Sequence, residues 1–189
     1  MVTIRNETHG DIAAREDLLD RVWGAARFEK TAERLREGRS PAAGLSLIAQ
    51  QDEHLAGTVR LWHVCAGPGR PALLLGPLAV DEAERGRGIG AALMRRALAV
   101  ARRRGHRAVI LVGDAPYYGR FGFSVEKTGA LWLPGACERH RLLGCELSPG
   151  ALDGARGLIG ATGPAMPKPS IDALIAGLAR EGTRARRAA

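Results

Sequence analysis

The sequence predicts an α/β protein built on one mixed β-sheet, and three observations carry that expectation. Residues 45–50 and 55–65 read as two strands joined by the turn Gln51-Asp52-Glu53-His54, an antiparallel hairpin. Residues 73–112 run strand, glycine-rich loop, helix, strand, an order that requires a parallel crossover. Between these features, Ala72 to Val80 is almost continuously apolar, as a strand buried on both faces must be.

The elements follow in order. Val2 to Glu7 reads as a first strand. Thr8, three residues before Asp11, has the spacing of a capping box, and the helix after it puts Ile12, Leu19, Val22 and Trp23 on one face. A second, charge-rich helical stretch is expected over Phe28 to Glu37, then a loop from Gly38 to Gly44. The hairpin follows, and Ala66-Gly67-Pro68-Gly69-Arg70-Pro71 turns the chain into the apolar strand. Gly76-Pro77 interrupts that strand. Proline has no N–H for a ladder, so a bulge or a break in pairing is expected there. Gly88 to Arg104 is a helix with Ile89, Leu93, Ala97 and Val100 inward and Arg95 and Arg96 outward. Ala108 to Val112 is a buried strand, Pro116 to Arg120 a helical turn, and Phe123 to Glu126 and Arg139 to Leu147 closing strands. Composition then shifts, so residues 151–189 read as a Gly/Ala/Pro-rich extension with a short helix at 170–180, capped by Ser170, and a basic tail.

At 189 residues the chain is sized for one domain, with an ordinary 46% of hydrophobic residues. The formal charge of +8 raises nucleic acid as a partner. However, the arginines are scattered and aromatic residues are only 4% of the chain, which argues against base stacking. Cys65, Cys137 and Cys145 form no paired framework, and Cys137, His140 and Cys145 lack the paired spacing of a zinc site, so no metal is expected. With no signal-like opening and no long apolar run, a cytoplasmic protein without membrane contact is expected.

The chemistry centres on Arg85-Gly86-Arg87-Gly88-Ile89-Gly90, which opens directly into a helix. Free backbone N–H groups and the helix dipole favour an anion there, so a phosphate-bearing ligand is expected. A mononucleotide P-loop needs Lys-Ser/Thr after its last glycine, whereas Gly90 precedes Ala91-Ala92. Gly86, Gly88 and Ala91 do satisfy the dinucleotide pattern, with Asp114 ending the next strand. Against that reading, Asp81 to Arg85 separate the strand from the first glycine, and the motif begins mid-chain after a hairpin.

Arg85-x-x-Gly88-x-Gly90 resembles the Q/R-x-x-G-x-G/A loop of the GNAT superfamily of N-acetyltransferases, and Leu78-Ala79-Val80-Asp81 looks like the strand leading into it. Tyr118-Gly119-Arg120-Phe121-Gly122-Phe123 resembles that superfamily's Y-x-x-x-G-F signature. Leu75-Gly76-Pro77-Leu78-Ala79-Val80, Gly113-Asp114 and Tyr117-Tyr118 look closer still to its small bacterial YhbS-like subgroup. The resemblance spans roughly residues 1–147 and implies a GNAT acyl-CoA N-acyltransferase fold over residues 1–150. That fold is a central, strongly twisted mixed sheet flanked by helices, with parted parallel strands at the CoA site.

The resemblance further implies transfer of acetyl from acetyl-CoA to a primary amine of a small molecule, protein or peptide, by direct attack in a ternary complex. The alternative is a catalytically silent acyl-CoA sensor or scaffold. Acetyl-CoA would bind to Leu78, Ala79, Val80, Arg85, Gly86, Arg87, Gly88, Ile89, Gly90 and Ala91. Tyr118 would protonate the departing thiolate, the Val80 N–H would polarise the thioester carbonyl, and Tyr117 would pack. No base stands out among Asp81, Glu82 and His63, and a water chain would serve as well. The acceptor cleft is expected between the first two helices, the loop near Arg70 and Leu131 to Glu138. A homodimer is left open.

Overall fold

The computed structural model describes residues 2–52 and 54–166. Its strands are β1 (Val2–Asn6), β2 (Ser46–Gln51), β3 (His54–Ala66), β4 (Pro71–Val80), β5 (Ala108–Val112), β6 (Ala130–Trp132), β7 (Leu142–Glu146) and β8 (Arg156–Ala161). Its α-helices are α1 (Ile12–Trp23), α2 (Ile89–Arg103) and the single turn α3 (Ala115–Gly119). The strands form one mixed sheet in the order β1-β2-β3-β4-β5-β7. β3 is long enough to carry two partners on one edge: β2 along its first half and β8 at Val64–Ala66. The pairing is antiparallel except for β4 with β5 and β6 with β8, so β4–α2–β5 is the parallel unit expected from the sequence.

Alternation along the central strands separates two cores. Leu73, Leu75, Val109 and Leu111 meet Leu93, Met94, Ala97 and Ala101 of α2. Leu74 and Ile110 point the other way, to Trp62, Val64, Leu131, Leu133, Leu142 and Ile159. This explains why β4 and β5 read as unbroken apolar runs. Cys145 packs in the first core and Cys137 against the second, with the sheet between them. Among the described residues no group of His, Cys, Asp or Glu is placed to hold a metal ion. No helix among them is long and apolar enough to cross a membrane.

The structure corrects several local expectations. Residues 28–37 do not form one helix. Two 3-10 turns, Ala25–Glu29 and Thr31–Leu35, are broken by Lys30 in an extended conformation, and the Thr31 hydroxyl ties the second turn to the Ala136 carbonyl. In α1 the inward residues are Arg15, Leu18 and Leu19, while Ile12 and Trp23 are exposed. Arg15 is buried because it donates to Glu7, which also accepts from Arg60 Nε at 2.9 Å and Nη2 at 2.6 Å. Phe123 to Glu126 is not a strand: only Ser124 bridges to Gly144, and a 3-10 turn over Glu126–Thr128 follows, held by Thr128 Oγ1 donating to the Leu142 carbonyl. The expected boundary at 150 precedes β8, which pairs with β3 and β6 and buries Ile159 completely, so the sheet runs past it. The helix expected at 170–180 and the basic tail lie outside the described residues.

The capping box is present: the Thr8 N–H donates to Asp11 Oδ2 at 2.7 Å, and Arg5 donates to both Asp11 oxygens. Arg5 and the Thr8 bonds hold the Asp11 carboxyl well below the usual carboxylate range.

Candidate active site

The site is built where β4 leaves β5. The two strands pair only at Leu73–Val109 and Leu74–Ile110. Beyond that, Gly76 and Pro77 oppose the single residue Arg60 on β3, a bulge that shifts the register between Val59 and Leu61. The Trp62 indole donates to the Gly76 carbonyl at 2.6 Å and holds the bulged backbone on the β3 side. β4 then continues paired to β3 through Leu78, Ala79 and Val80, with no strand partner among the described residues on its other edge.

Alternation decides which groups face that free edge. The Asp81 N–H donates to the Ala56 carbonyl on β3 at 2.9 Å. Two residues earlier the same side of the chain is presented, so the Ala79 N–H also faces β3, whereas those of Leu78 and Val80 face the gap. The Ala79 side chain is buried beneath α1 with Leu18 and Leu19. Of the three strand residues expected to touch the donor, Ala79 therefore turns both its polar groups and its side chain elsewhere.

The glycine loop abuts the end of this edge. Gly86 and Gly88 have positive φ of 80° and 78°, conformations that glycine adopts without penalty. Nothing lies within 4 Å of the position a Cβ would take at either residue, so the loop surface is open. Gly88 caps α2, whose first turn leaves backbone N–H groups unpaired and carries no acidic residue. Arg85 and Arg87 are half exposed and paired with Glu82 and Glu84. Gly90 is the tight position: a Cβ there would stand 3.0 Å from the Tyr117 hydroxyl and 3.4 Å from Val80. Loop, β4 and α3 thus converge, with Tyr117 against the loop.

Tyr118 lies on the other side of α3's turn and faces a cavity of about 480 Å³. Its ring packs edge-on against Tyr117 and Phe123. Burial, and secondarily the Tyr117 neighbour, push its phenol up to about 12, so it stays protonated at neutral pH. The cavity opens in the gap itself, between Leu75–Leu78 of β4 and Leu111–Val112 of β5. Its far wall comes from Trp23, the segment 27–36, and Leu133 to Arg141. The first helices and the 131–138 segment were expected there; Arg70 is not part of the wall.

The three candidate bases are placed elsewhere. Asp81 accepts from the Ala83 N–H and pairs with Arg21 and His54, Glu82 extends into solvent beside Arg85, and His63 stacks on His106 at 5.4 Å. The acidic groups on the cavity wall are Glu29, Glu33 and Glu138. Arg36, Lys30 and Arg141 also line it. Five of the six fall in segments the sequence places at the cleft, Arg141 being the exception, but none is singled out there, because the broken 25–35 turns and the 134–141 loop have no periodicity from which a face could be read.

The model of the acetyltransferase (GNAT) family matches residues 12–123, more than half of the chain. The fold is similar to that of YhbS, a GNAT N-acetyltransferase from Escherichia coli crystallised with CoA. That similarity has 30% identity and a TM-score of 0.71, over 85% of this chain and 89% of that one. It is also similar to a GNAT acetyltransferase from Brucella melitensis in complex with acetyl-CoA, at 28% identity and a TM-score of 0.56, over 89% of this chain and 92% of that one. An acetyltransferase of the family from Staphylococcus aureus, 15% identical with a TM-score of 0.57 over 78% of this chain and 100% of that one, shares the fold. No curated protein matches. Together with the parted strands, the glycine loop and the tyrosine turn, these similarities establish that the chain belongs to the GNAT family of acetyltransferases.

Proposed function

We propose that this protein transfers the acetyl group of acetyl-CoA to a primary amine by direct attack in a ternary complex, with Tyr118 and Val80 as the catalytic groups. The observation that carries the reading is the free edge of β4, bounded at one end by the open glycine loop and facing a protonated phenol across the cavity. The Escherichia coli and Brucella melitensis structures hold CoA and acetyl-CoA, which supports the same donor here.

The residues fit that donor. The open surface over Gly86 and Gly88, with the unpaired N–H groups of the first turn of α2, suits a pyrophosphate. Arg85 and Arg87 add positive charge beside it, while Gly90 lets Tyr117 and Val80 pack against the loop from behind. The Leu78 and Val80 edge suits the amide groups of a pantetheine arm, which pairs there as an added strand would. Acetyl-CoA, when bound, supplies the thioester whose carbonyl carbon the amine attacks. The Val80 N–H donates to the carbonyl oxygen as charge develops on it, a contribution of order 10²–10³ in rate for one such donor. Tyr118 donates to the departing sulfur. The proton that the amine loses on attack returns through Glu29 or Glu138 of the wall and solvent to Tyr118, so the phenol is restored and the proton on the CoA thiol is accounted for.

Calorimetry with acetyl-CoA, followed by a thiol-release assay over a panel of primary amines, tests this. The expectation is saturable binding and amine-dependent CoA release. Binding without release across the panel would leave a silent acyl-CoA sensor, and absence of binding would refute the cradle.

A further inference from the structure

The cations on the cavity wall are unevenly satisfied. Arg36 is the deepest, with its side chain 7% exposed. Its Nη2 pairs with Glu33 at 2.8 Å and its Nε donates to the Ala32 carbonyl at 3.3 Å, while Nη1 comes within 3.7 Å of the position a Cβ would take at Gly76, on the parted strand itself. One face of a buried, fixed guanidinium is thus aimed at the gap. Lys30 stands at the rim with its ammonium 3.6 Å over the Trp23 ring and makes no ion pair among the described residues. Arg141 meets Glu138 only at 3.6 Å. Arg27, also on the wall, is already engaged by Glu16 and Asp20. Lys30 is near enough to Arg36 and Arg141 for their charges to lower its pKa, after burial, so the three cations converge. The pairing of Arg34 with the Pro134 carbonyl, together with the bond from Thr31, fixes the 30–36 segment to the opposite loop and keeps the cluster over the cavity.

Resting on the acetyl-transfer reading, we propose that the acceptor is a primary amine bearing a carboxylate, held by Arg36 in the cavity and by Lys30 and Arg141 at its mouth. Arg36 Nη1, without a partner among the described residues, offers a charge-assisted donor to one carboxylate oxygen, and a low-dielectric pocket strengthens that contact. The mixed wall suits such an acceptor, since Glu29 and Glu138 keep the net field low enough to admit its ammonium form.

The test compares γ-aminobutyrate with butylamine, amines of similar length and basicity, in the thiol-release assay with full-length protein. The carboxylated amine should have kcat/KM at least about tenfold higher, the size expected of one charge-assisted contact, and the difference should lie in KM. Lys30→Gln and Arg36→Lys should each pull that ratio toward one. Lys30 is at the rim, so its variant reports even if the Arg36 variant folds poorly. Equal use of the two amines would overturn the carboxylate subsite while leaving acetyl transfer standing. An intact ratio in both variants would overturn the residue assignment. Release with another amine of the panel but not with γ-aminobutyrate would overturn the carboxylate subsite alone, whereas retained acetyl-CoA binding with no release across the panel would overturn acetyl transfer itself.

Discussion

Gly113 leaves the space that the Tyr118 ring fills: a Cβ built on Gly113 would lie 2.2 Å from Tyr118 Cε2 and 2.7 Å from its Cδ2. Gly113 has no unusual φ, so the requirement is steric alone. Its N–H is fixed to the Arg141 carbonyl at 2.9 Å, so the backbone cannot easily retreat. Gly113→Ala should therefore push the ring out of place at a cost of about 1–3 kcal/mol in stability. Thermal unfolding should show a clear drop in Tm. Turnover should fall much more than acetyl-CoA affinity, because the group displaced is the Tyr118 ring and not the glycine loop.

Tyr118 should also leave a mark on alkaline stability. Its pKa in the folded protein, about 12, exceeds the ordinary value of 10. Between those values the folded state holds a proton that the unfolded state has lost. The contribution is complete below about pH 10 and disappears as pH rises through about 12, amounting to roughly 2–3 kcal/mol at most. Urea melts of wild type and Tyr118→Phe from pH 9 to 11 should show the wild type losing more stability with rising pH than the variant. Parallel slopes would contradict the raised pKa.

Glu7 joins β1 to α1 and β3 through Arg15 and Arg60, with side-chain exposures of 6%, 5% and 16%. Removing its charge leaves Arg60 without a carboxylate partner among the described residues and the buried Arg15 with Glu16 alone, a loss of up to about 3–5 kcal/mol in such settings. Glu7→Gln should lower the urea midpoint sharply, by far more than loss of an exposed pair such as Arg85–Glu82. This cluster was invisible in the sequence, because nothing marks an arginine mid-helix as inward-facing until its carboxylate partner arrives from another strand.

At the donor site, Gly88→Glu should abolish acetyl-CoA binding in calorimetry with little loss of fold. The residue adopts positive φ, so a side chain adds strain of about 1–2 kcal/mol, and the new carboxylate stands where a pyrophosphate would. Binding retained within a few-fold would contradict the loop assignment.

What was legible in the sequence follows from local chemistry. The continuous apolar runs named β4 and β5, Gly76-Pro77 marked where they part, and glycine spacing marked the loop before α2. The tyrosine turn gave α3. Composition misled where it stood in for contacts. Residues 156–161 look like an extension, yet β3 outruns β2 and offers β8 its remaining edge. Lys30 breaks a segment whose charges suggested one helix, and the broken turns then supply the cavity wall. The general base stayed hidden because residues close in sequence to the loop, Asp81 and Glu82, are occupied by Ala83, Arg21 and Arg85.

In the proposed reaction the Tyr118 phenol serves the chemical step at the mouth of the parted strands. The most direct measurement is kcat for CoA release by Tyr118→Phe at saturating acetyl-CoA, with the acetyl-CoA Kd determined in parallel. The kcat should fall about 10²-fold, in the usual range for a positioned acid, with Kd nearly unchanged. An unchanged kcat would contradict that role.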